Sequence, residues 1–155
     1  MNQDKDAYLT PAAIEGLKRE LERIKRERPA MVEELSRNRE MGDLSENAGY
    51  HIAKAKLRAA DSRVLSLEDR IKMAVTIDTQ ADGSGRIRIG STVVIAANGK
   101  EMTYEVLGTQ ESNPFHGKIS YKSPLGQILL GHVAGEVVVL KTDAGETTYE
   151  VIAVR

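Results

Sequence analysis

Two apolar seams of equal length govern what this chain can become. Along the first, Ile14, Leu17, Leu21, Ile24, Arg28, Met31, Leu35 and Asn38 recur in alternating steps of three and four. Along the second, Tyr50, Ala53, Leu57, Ala60, Val64, Leu67, Ile71 and Ala74 do the same. Such spacing is the a/d repeat of a coiled coil. Only about six residues separate the two helical patterns, too few for anything but an antiparallel return. Thr10 and Pro11 mark the start, because a threonine oxygen caps orphan amides and proline is pre-set for the first helical position. Helices of about 28 to 30 residues make a rod roughly 40 to 45 Å long at 1.5 Å per residue. Ala53 and Ala60 let the helices approach closely, while Arg28 and Asn38 weaken the seam and can fix its register. A purely structural coiled coil would satisfy all of this, and the mixed charge from Lys18 to Glu27 reads as a solvated face.

Composition narrows the class. The 155 residues carry a net charge of −1, so the chain as a whole is neither a basic nucleic-acid binder nor an acidic mimic. The absence of cysteine excludes disulfides, thiolate zinc sites and a cysteine nucleophile. The polar start, Met1 to Thr10, has no apolar signal region, and no run approaches the roughly 18 apolar residues of a membrane span. A cytoplasmic protein with no membrane partner, expected to be a monomer, follows as the default. One Phe and no Trp leave little material for aromatic pocket walls.

The pattern changes at Thr79 to Gly85, which reads as a linker. The expected division is a hairpin over residues 1–78 and a sheet domain over 79–155. Ser91 to Ala97 and Glu101 to Leu107 flank Asn98-Gly99, a strong hairpin signal. Val137 to Lys141 and Thr147 to Val154 form a second pair around Asp143-Ala144-Gly145. Ser123 as cap, Pro124 inside and Gly131 after the end predict a short helix over Leu125 to Leu130. The fold class is therefore α+β: a helical hairpin, then a small antiparallel sheet with one short helix. His116 and His132 stand apart as surface or loop residues. No nucleophile–base pair or phosphate-binding loop is present, and specific DNA binding is unsupported because no groove-reading module appears.

The turn between the seams, Met41-Gly42-Asp43-Leu44-Ser45-Glu46-Asn47, places Asp43 and Glu46 at the tip of the rod. Asp43-Leu-Ser-Glu46 fits a capping box for the second helix, and capping alone would account for both carboxylates. The other reading is metal delivery. Mg²⁺ takes hard oxygen ligands, and two carboxylates can complete a site that a partner has begun. Beside the tip, Arg37, Arg39, Lys54, Lys56 and Arg58 outnumber Glu40, Asp43 and Glu46, a basic flank able to hold a phosphate backbone.

Gly42-Asp43-Leu44-Ser45-Glu46-Asn47-Ala48-Gly49-Tyr50, flanked by heptad helices, resembles the tip motif of the bacterial Gre transcript-cleavage factors, GreA and GreB. Ser123-Pro124-Leu125-Gly126-Gln127-Ile128-Leu129-Leu130-Gly131 and Gly135-Glu136-Val137-Val138-Val139 resemble that family's carboxy-terminal domain, and the resemblance covers nearly the whole chain. It implies an FKBP-like second domain that docks at the mouth of the secondary channel of RNA polymerase, on its rim. It implies that the hairpin enters that channel when the enzyme has backtracked and reaches the nascent RNA 3′ end. Asp43 and Glu46 would then help hold a Mg²⁺ shared with the polymerase, no cofactor being bound in isolation, and Tyr50 is a candidate to orient the RNA end or the metal site. Tyr50 is equally a seam residue that closes the hairpin. The resemblance implies a factor that is not itself an enzyme but stimulates the polymerase's own RNA cleavage.

Departures qualify the match. Gly49 stands where the family usually has an acidic residue, which removes a third carboxylate from the tip. Lys54 to Arg58 looks more like GreB, Leu44 more like GreA. A non-cleaving paralogue occupying the same channel is the alternative, although inhibitory relatives carry a more acidic tip. A free-standing prolyl isomerase is a third reading, weakened because Tyr104, Phe115, Tyr121 and Tyr149 are few and polar for its pocket.

Overall fold

The computed structural model describes residues 7–43 and 45–155. Leu44 and Met1 to Asp6, the latter the larger part of the polar start, lie outside the described residues. The chain divides into two compact units, Ile14–Met73 and, separately, Ala74–Arg155 together with the amino-terminal residues up to Ala13. Residues 74–78 group with the sheet unit in this division. The reason is a short parallel pairing of β1 (Tyr8–Leu9) with β2 (Val75–Thr76), which ties both flanks of the hairpin into the second unit.

In the first unit, α1 (Pro11–Glu40) and α2 (Ala48–Met73) form the hairpin, with 30 and 26 residues. At 1.5 Å per residue they run about 45 and 39 Å. Thr10 caps α1 as expected: its Oγ1 accepts from the Ala13 amide at 3.2 Å. The seam is filled by buried Leu21, Ile24, Ala60 and Leu67, with Leu17, Met31, Val64 and Ile71 packed on them. Ala53 is also buried, so small side chains do stand where the helices come together. Arg28 does not enter the seam. It is exposed and forks onto Asp61, at 2.7 and 3.3 Å. Glu20 with Arg63 (2.8 Å), Lys25 with Glu68 (2.8 Å) and Glu34 with Lys56 (3.0 Å) also bridge the helices. Each pair joins an early residue of α1 to a late one of α2, or the reverse, as antiparallel flanks require. Glu20 and Arg63 each hold the other charged, through the hydrogen bond first.

In the second unit, β3 (Thr92–Ala97), β4 (Lys100–Leu107), β5 (Lys118–Ser120), β6 (Val137–Thr142) and β7 (Gly145–Val154) form a sheet in the order β5-β4-β3-β7-β6. The two predicted hairpins are present, β3–β4 and β6–β7. Asn98 (φ 51°) and Gly99 (φ 74°) are both left-handed, the twist that a two-residue turn between strands needs. The sheet is mixed, which corrects the expected antiparallel sheet. After β4 the chain crosses through short turns at Thr109–Glu111 and Pro114–His116, then lays β5 parallel to β4. A three-residue strand, Lys-Ile-Ser, with a single apolar member has no periodicity to read. The short helix α3 (Pro124–Leu129) begins where Ser123 predicts, its Oγ accepting from the Gly126 amide at 3.1 Å. Ile87, Val93, Ile95, Val106, Ile119, Leu129, Val138 and Val151 make the core between sheet and helix.

The segment read as a linker, residues 79–85, is tied down by Arg88. Its guanidinium donates to the carbonyls of Asp78 (2.8 Å) and Gln80 and lies 3.4 Å from the Asp82 carboxylate. No helix among the described residues is long and apolar enough to cross a membrane.

Candidate functional site: the hairpin tip

α1 stops because Gly42 takes a positive φ (131°), a conformation glycine adopts without steric cost, and the chain turns out of the helix. α2 starts at Ala48 because Asn47 caps it. Its Oδ1 accepts from the Tyr50 amide at 3.0 Å, satisfying an orphan donor of the first turn. This corrects the capping box expected for Asp43 and Glu46: Asp43 lies four residues before the residue that caps. Asparagine directly ahead of a helical pattern is a common cap signal, and the competing Asp-x-x-Glu spacing obscured it.

Asp43 instead closes a small turn of its own. One oxygen, Oδ1, accepts from the Ser45 amide (3.0 Å) and from Ser45 Oγ (2.8 Å). The backbone hydrogen bond first, and the hydroxyl second, hold the Asp43 carboxyl below the ordinary carboxylate range. Oδ2 takes no hydrogen bond among the described residues. Asp43 and Glu46 are both exposed. One oxygen is thus held by the loop while the other faces outward, charged at neutral pH, as a hard-cation ligand must be. Among the described residues no group of three or more His, Cys, Asp or Glu could hold a metal alone. Two exposed carboxylates are donors of the kind a hard divalent cation takes, enough for one part of its coordination.

Because the folded pKa of Asp43 is depressed, its contribution to the loop is present above the ordinary carboxyl pKa and is lost as pH falls through the lowered value. Ser45→Ala removes the hydroxyl but leaves the amide donor. Its expected result is an Asp43 titration, followed by carboxyl carbon NMR, that moves part of the way back toward about 3.9. An unchanged midpoint would mean that the hydroxyl does not bond Asp43 in solution.

The basic residues do not form one patch. Arg37 and Arg39 are exposed in the last turn of α1, two positions apart and so on different sides of the helix. Lys56 is engaged with Glu34 across the hairpin. Tyr50, Lys54 and Arg58 stand four residues apart along one row of α2. The Lys54 ammonium lies 5.6 Å from the centre of the Tyr50 ring, and Tyr50 meets His51 edge-on at 5.5 Å. Tyr50 is half-buried at the start of the seam.

Gly49 has a packing reason. A Cβ there would stand 2.4 Å from Asn38 Oδ1, and the Asn38 amide is held by the Glu34 carbonyl at 2.8 Å. In an open helix, Gly→Ala gains up to about 1 kcal/mol. Gly49→Ala is expected to gain nothing in thermal unfolding, because Asn38 must leave its place. In the Asn38→Ala background the same change is expected to stabilise, giving a coupling of about 0.5 to 1 kcal/mol in the double-mutant cycle. Additivity of the two changes would refute the contact.

Away from the tip, a cavity of about 310 Å³ in the sheet unit is lined by Tyr104, Pro114, Ile119, Pro124, Leu125 and Leu140, among others. Tyr104 is its one aromatic wall among the described residues, and Phe115 is 99 % exposed, so the aromatic enclosure of a prolyl-isomerase pocket is not assembled here. His132 pairs with Glu136 at 2.8 Å on the surface.

Fold and tip together define a class: a helical hairpin that presents a pair of carboxylates at its far end, coupled in sequence to a mixed-sheet unit. Two family models match, one described as transcription elongation factor, N-terminal, over residues 7–75, the other as transcription elongation factor, GreA/GreB, C-term, over residues 81–155. The chain is 39 % identical over 148 residues to transcription elongation factor GreA of Nitratiruptor sp., covering 94 % of this chain and 91 % of that one. It is 36 % identical to that of Halalkalibacterium halodurans over 158 residues, the full length of both. A crystal structure of the GreA factor homolog 1 (Gfh1) protein of Thermus thermophilus has 31 % identity over 97 % of this chain and 99 % of that chain, with a TM-score of 0.43. The chain belongs to the GreA/GreB family of transcription elongation factors.

Proposed function

We infer that this chain acts on bacterial RNA polymerase as a transcript-cleavage factor, its hairpin entering the secondary channel of a backtracked enzyme. The observation that carries this reading is the tip itself. Asp43 is fixed by Ser45 through one carboxylate oxygen and presents the other, with Glu46 exposed beside it. The hairpin supplies reach, since helices of 30 and 26 residues place those groups about 40 Å from its base. Asp43 and Glu46 are the residues that would hold the shared Mg²⁺. When bound, that ion supplies charge stabilisation at the phosphodiester and an acidified water.

What the chain contributes is position and charge. Asp43 and Glu46 add negative oxygen ligands where the polymerase already holds the RNA 3′ end, and each can accept a hydrogen bond from the attacking water. Hydrolysis forms a new bond from water oxygen to phosphorus and breaks the bond to the ribose 3′ oxygen. That oxygen leaves with a proton, so the transcript regains a 3′ hydroxyl for elongation. Lys54 and Arg58, along one row with Tyr50, are the cations best arranged to follow the extruded RNA backbone. The sheet unit is assigned to docking on the channel rim. The protein is then an activator of another enzyme's centre rather than a hydrolase.

The test is a polymerase stalled in a backtracked complex, mixed with this protein and Mg²⁺ and assayed for short 3′ RNA fragments. Fragments are expected, followed by resumed elongation. Binding without fragments would turn the reading to a channel-blocking regulator, and no binding would remove both.

A further inference from the structure

Everything that acts at the tip hangs from a loop, and the loop has a lock at its base. The Asn38 carbonyl, in the last turn of α1, accepts from the Met41 amide at 3.3 Å, where the loop begins. The same oxygen accepts from Asn47 Nδ2 at 2.7 Å, where the loop ends. Asn47 thus uses both ends of its carboxamide. Oδ1 caps α2 through the Tyr50 amide, and Nδ2 reaches back to α1. Its carbonyl also accepts the His51 amide at 3.2 Å. Asp43 and Glu46 lie between the two closing bonds, and the internal turn of Asp43 on Ser45 orders the loop only locally.

We propose that Asn47 is a positioning residue, whose Nδ2 clasp on the Asn38 carbonyl holds the loop bearing Asp43 and Glu46 in the geometry that cleavage needs. This rests on the transcript-cleavage reading above. Capping starts the helix. The clasp, a separate bond from a separate atom, joins the two helices across the tip. An exposed loop held at one end only would let the carboxylates wander, and a displacement of about 1 Å at a reacting centre can cost a hundredfold in rate. The clasp bond is partly buried, which shields it from competing water.

The two roles separate by substitution. Asn47→Asp keeps an oxygen for the Tyr50 amide, and an anion suits a helix start, so α2 still forms. It loses the donor and sets a carboxylate oxygen against the Asn38 carbonyl. Asn47→Ser also keeps a cap oxygen but is too short to reach Asn38. For both variants, helix content by circular dichroism and affinity for polymerase are expected to stay within about twofold of wild type. Backbone ¹⁵N order parameters at Asp43, Ser45 and Glu46 should fall from near 0.85 toward 0.6 or below. Fragment release should drop about tenfold or more, with a higher Mg²⁺ concentration needed for half-maximal rate. Rigid order parameters in both variants would overturn the proposal, as would a loosened loop that cleaves at the wild-type rate and Mg²⁺ dependence. Failure of the wild type to cleave would strike the functional reading alone, because the order parameters judge the clasp without polymerase.

Discussion

Asp43→Asn is expected to reduce stimulated cleavage by about a hundredfold or more while leaving polymerase affinity within a few fold. The substitution is nearly isosteric. Asparagine retains a carbonyl oxygen able to accept both Ser45 hydrogen bonds, so the turn that Asp43 closes can survive. What disappears is the negative charge at the outward oxygen. Removing a single preorganised electrostatic contact from a reacting centre commonly costs two to three powers of ten, or about 3 to 4 kcal/mol of barrier. Glu46→Gln tests the second ligand in the same manner, and the double variant should lose little more than either alone, because ligands of one ion act as a unit. Fragment release from backtracked complexes gives the rate, and competition for polymerase gives affinity. Near-wild-type cleavage by Asp43→Asn would remove the tip mechanism. Loss of cleavage together with loss of binding would assign Asp43 to docking.

The second large effect lies far from the chemistry. Gly126→Ala is expected to unfold or severely loosen the sheet unit. A Cβ at Gly126 would stand 2.1 Å from the Ser120 carbonyl oxygen and 3.0 Å from the Tyr121 Cα, all backbone atoms that cannot rotate away. The α3 helix would have to lift off the segment that follows β5, drawing Leu129, which is fully buried, out of the core. Overpacking of this kind costs about 3 kcal/mol or more, which for a unit of this size is a fall of roughly 12 °C or more in melting temperature. Methyl NMR of Leu129 and Val151 reports on the sheet unit, while helical ellipticity from the hairpin persists. Gly16→Ala is the matched control. It sits in α1 with open space around a new Cβ, and should gain up to about 1 kcal/mol. A Gly126→Ala protein as stable as wild type would mean that α3 does not approach the Ser120 carbonyl so closely.

Some of this was legible in the residues because its causes are local. The apolar positions of the heptad seams, the Thr10 cap, the Asn98-Gly99 turn and the Ser123 cap each depend on neighbours a few positions away, and each stands in the structure as read. Local rules also misled. Asp43-x-x-Glu46 matches a capping box, yet Asn47, nearer the helix, caps instead. Arg28 has seam spacing, but ionised guanidinium is costly to bury, so it turns outward to Asp61. Residues 79–85 have linker composition, but Arg88 holds the Gln80 carbonyl and pairs with the Asp82 carboxylate.

The order of elements along the chain, two long amphipathic helices joined by an acidic turn and then strand pairs, is written in periodicity and turn chemistry. Folding in three dimensions settled what no period encodes: β5 laid parallel on β4, β1 against β2, and a tip closed by Asn47 on the Asn38 carbonyl. Those contacts join residues brought together by the path of the whole chain, and their energy depends on where the partner arrives. At the tip, that closure leaves Asp43 and Glu46 exposed at the end of the hairpin rather than used up as caps.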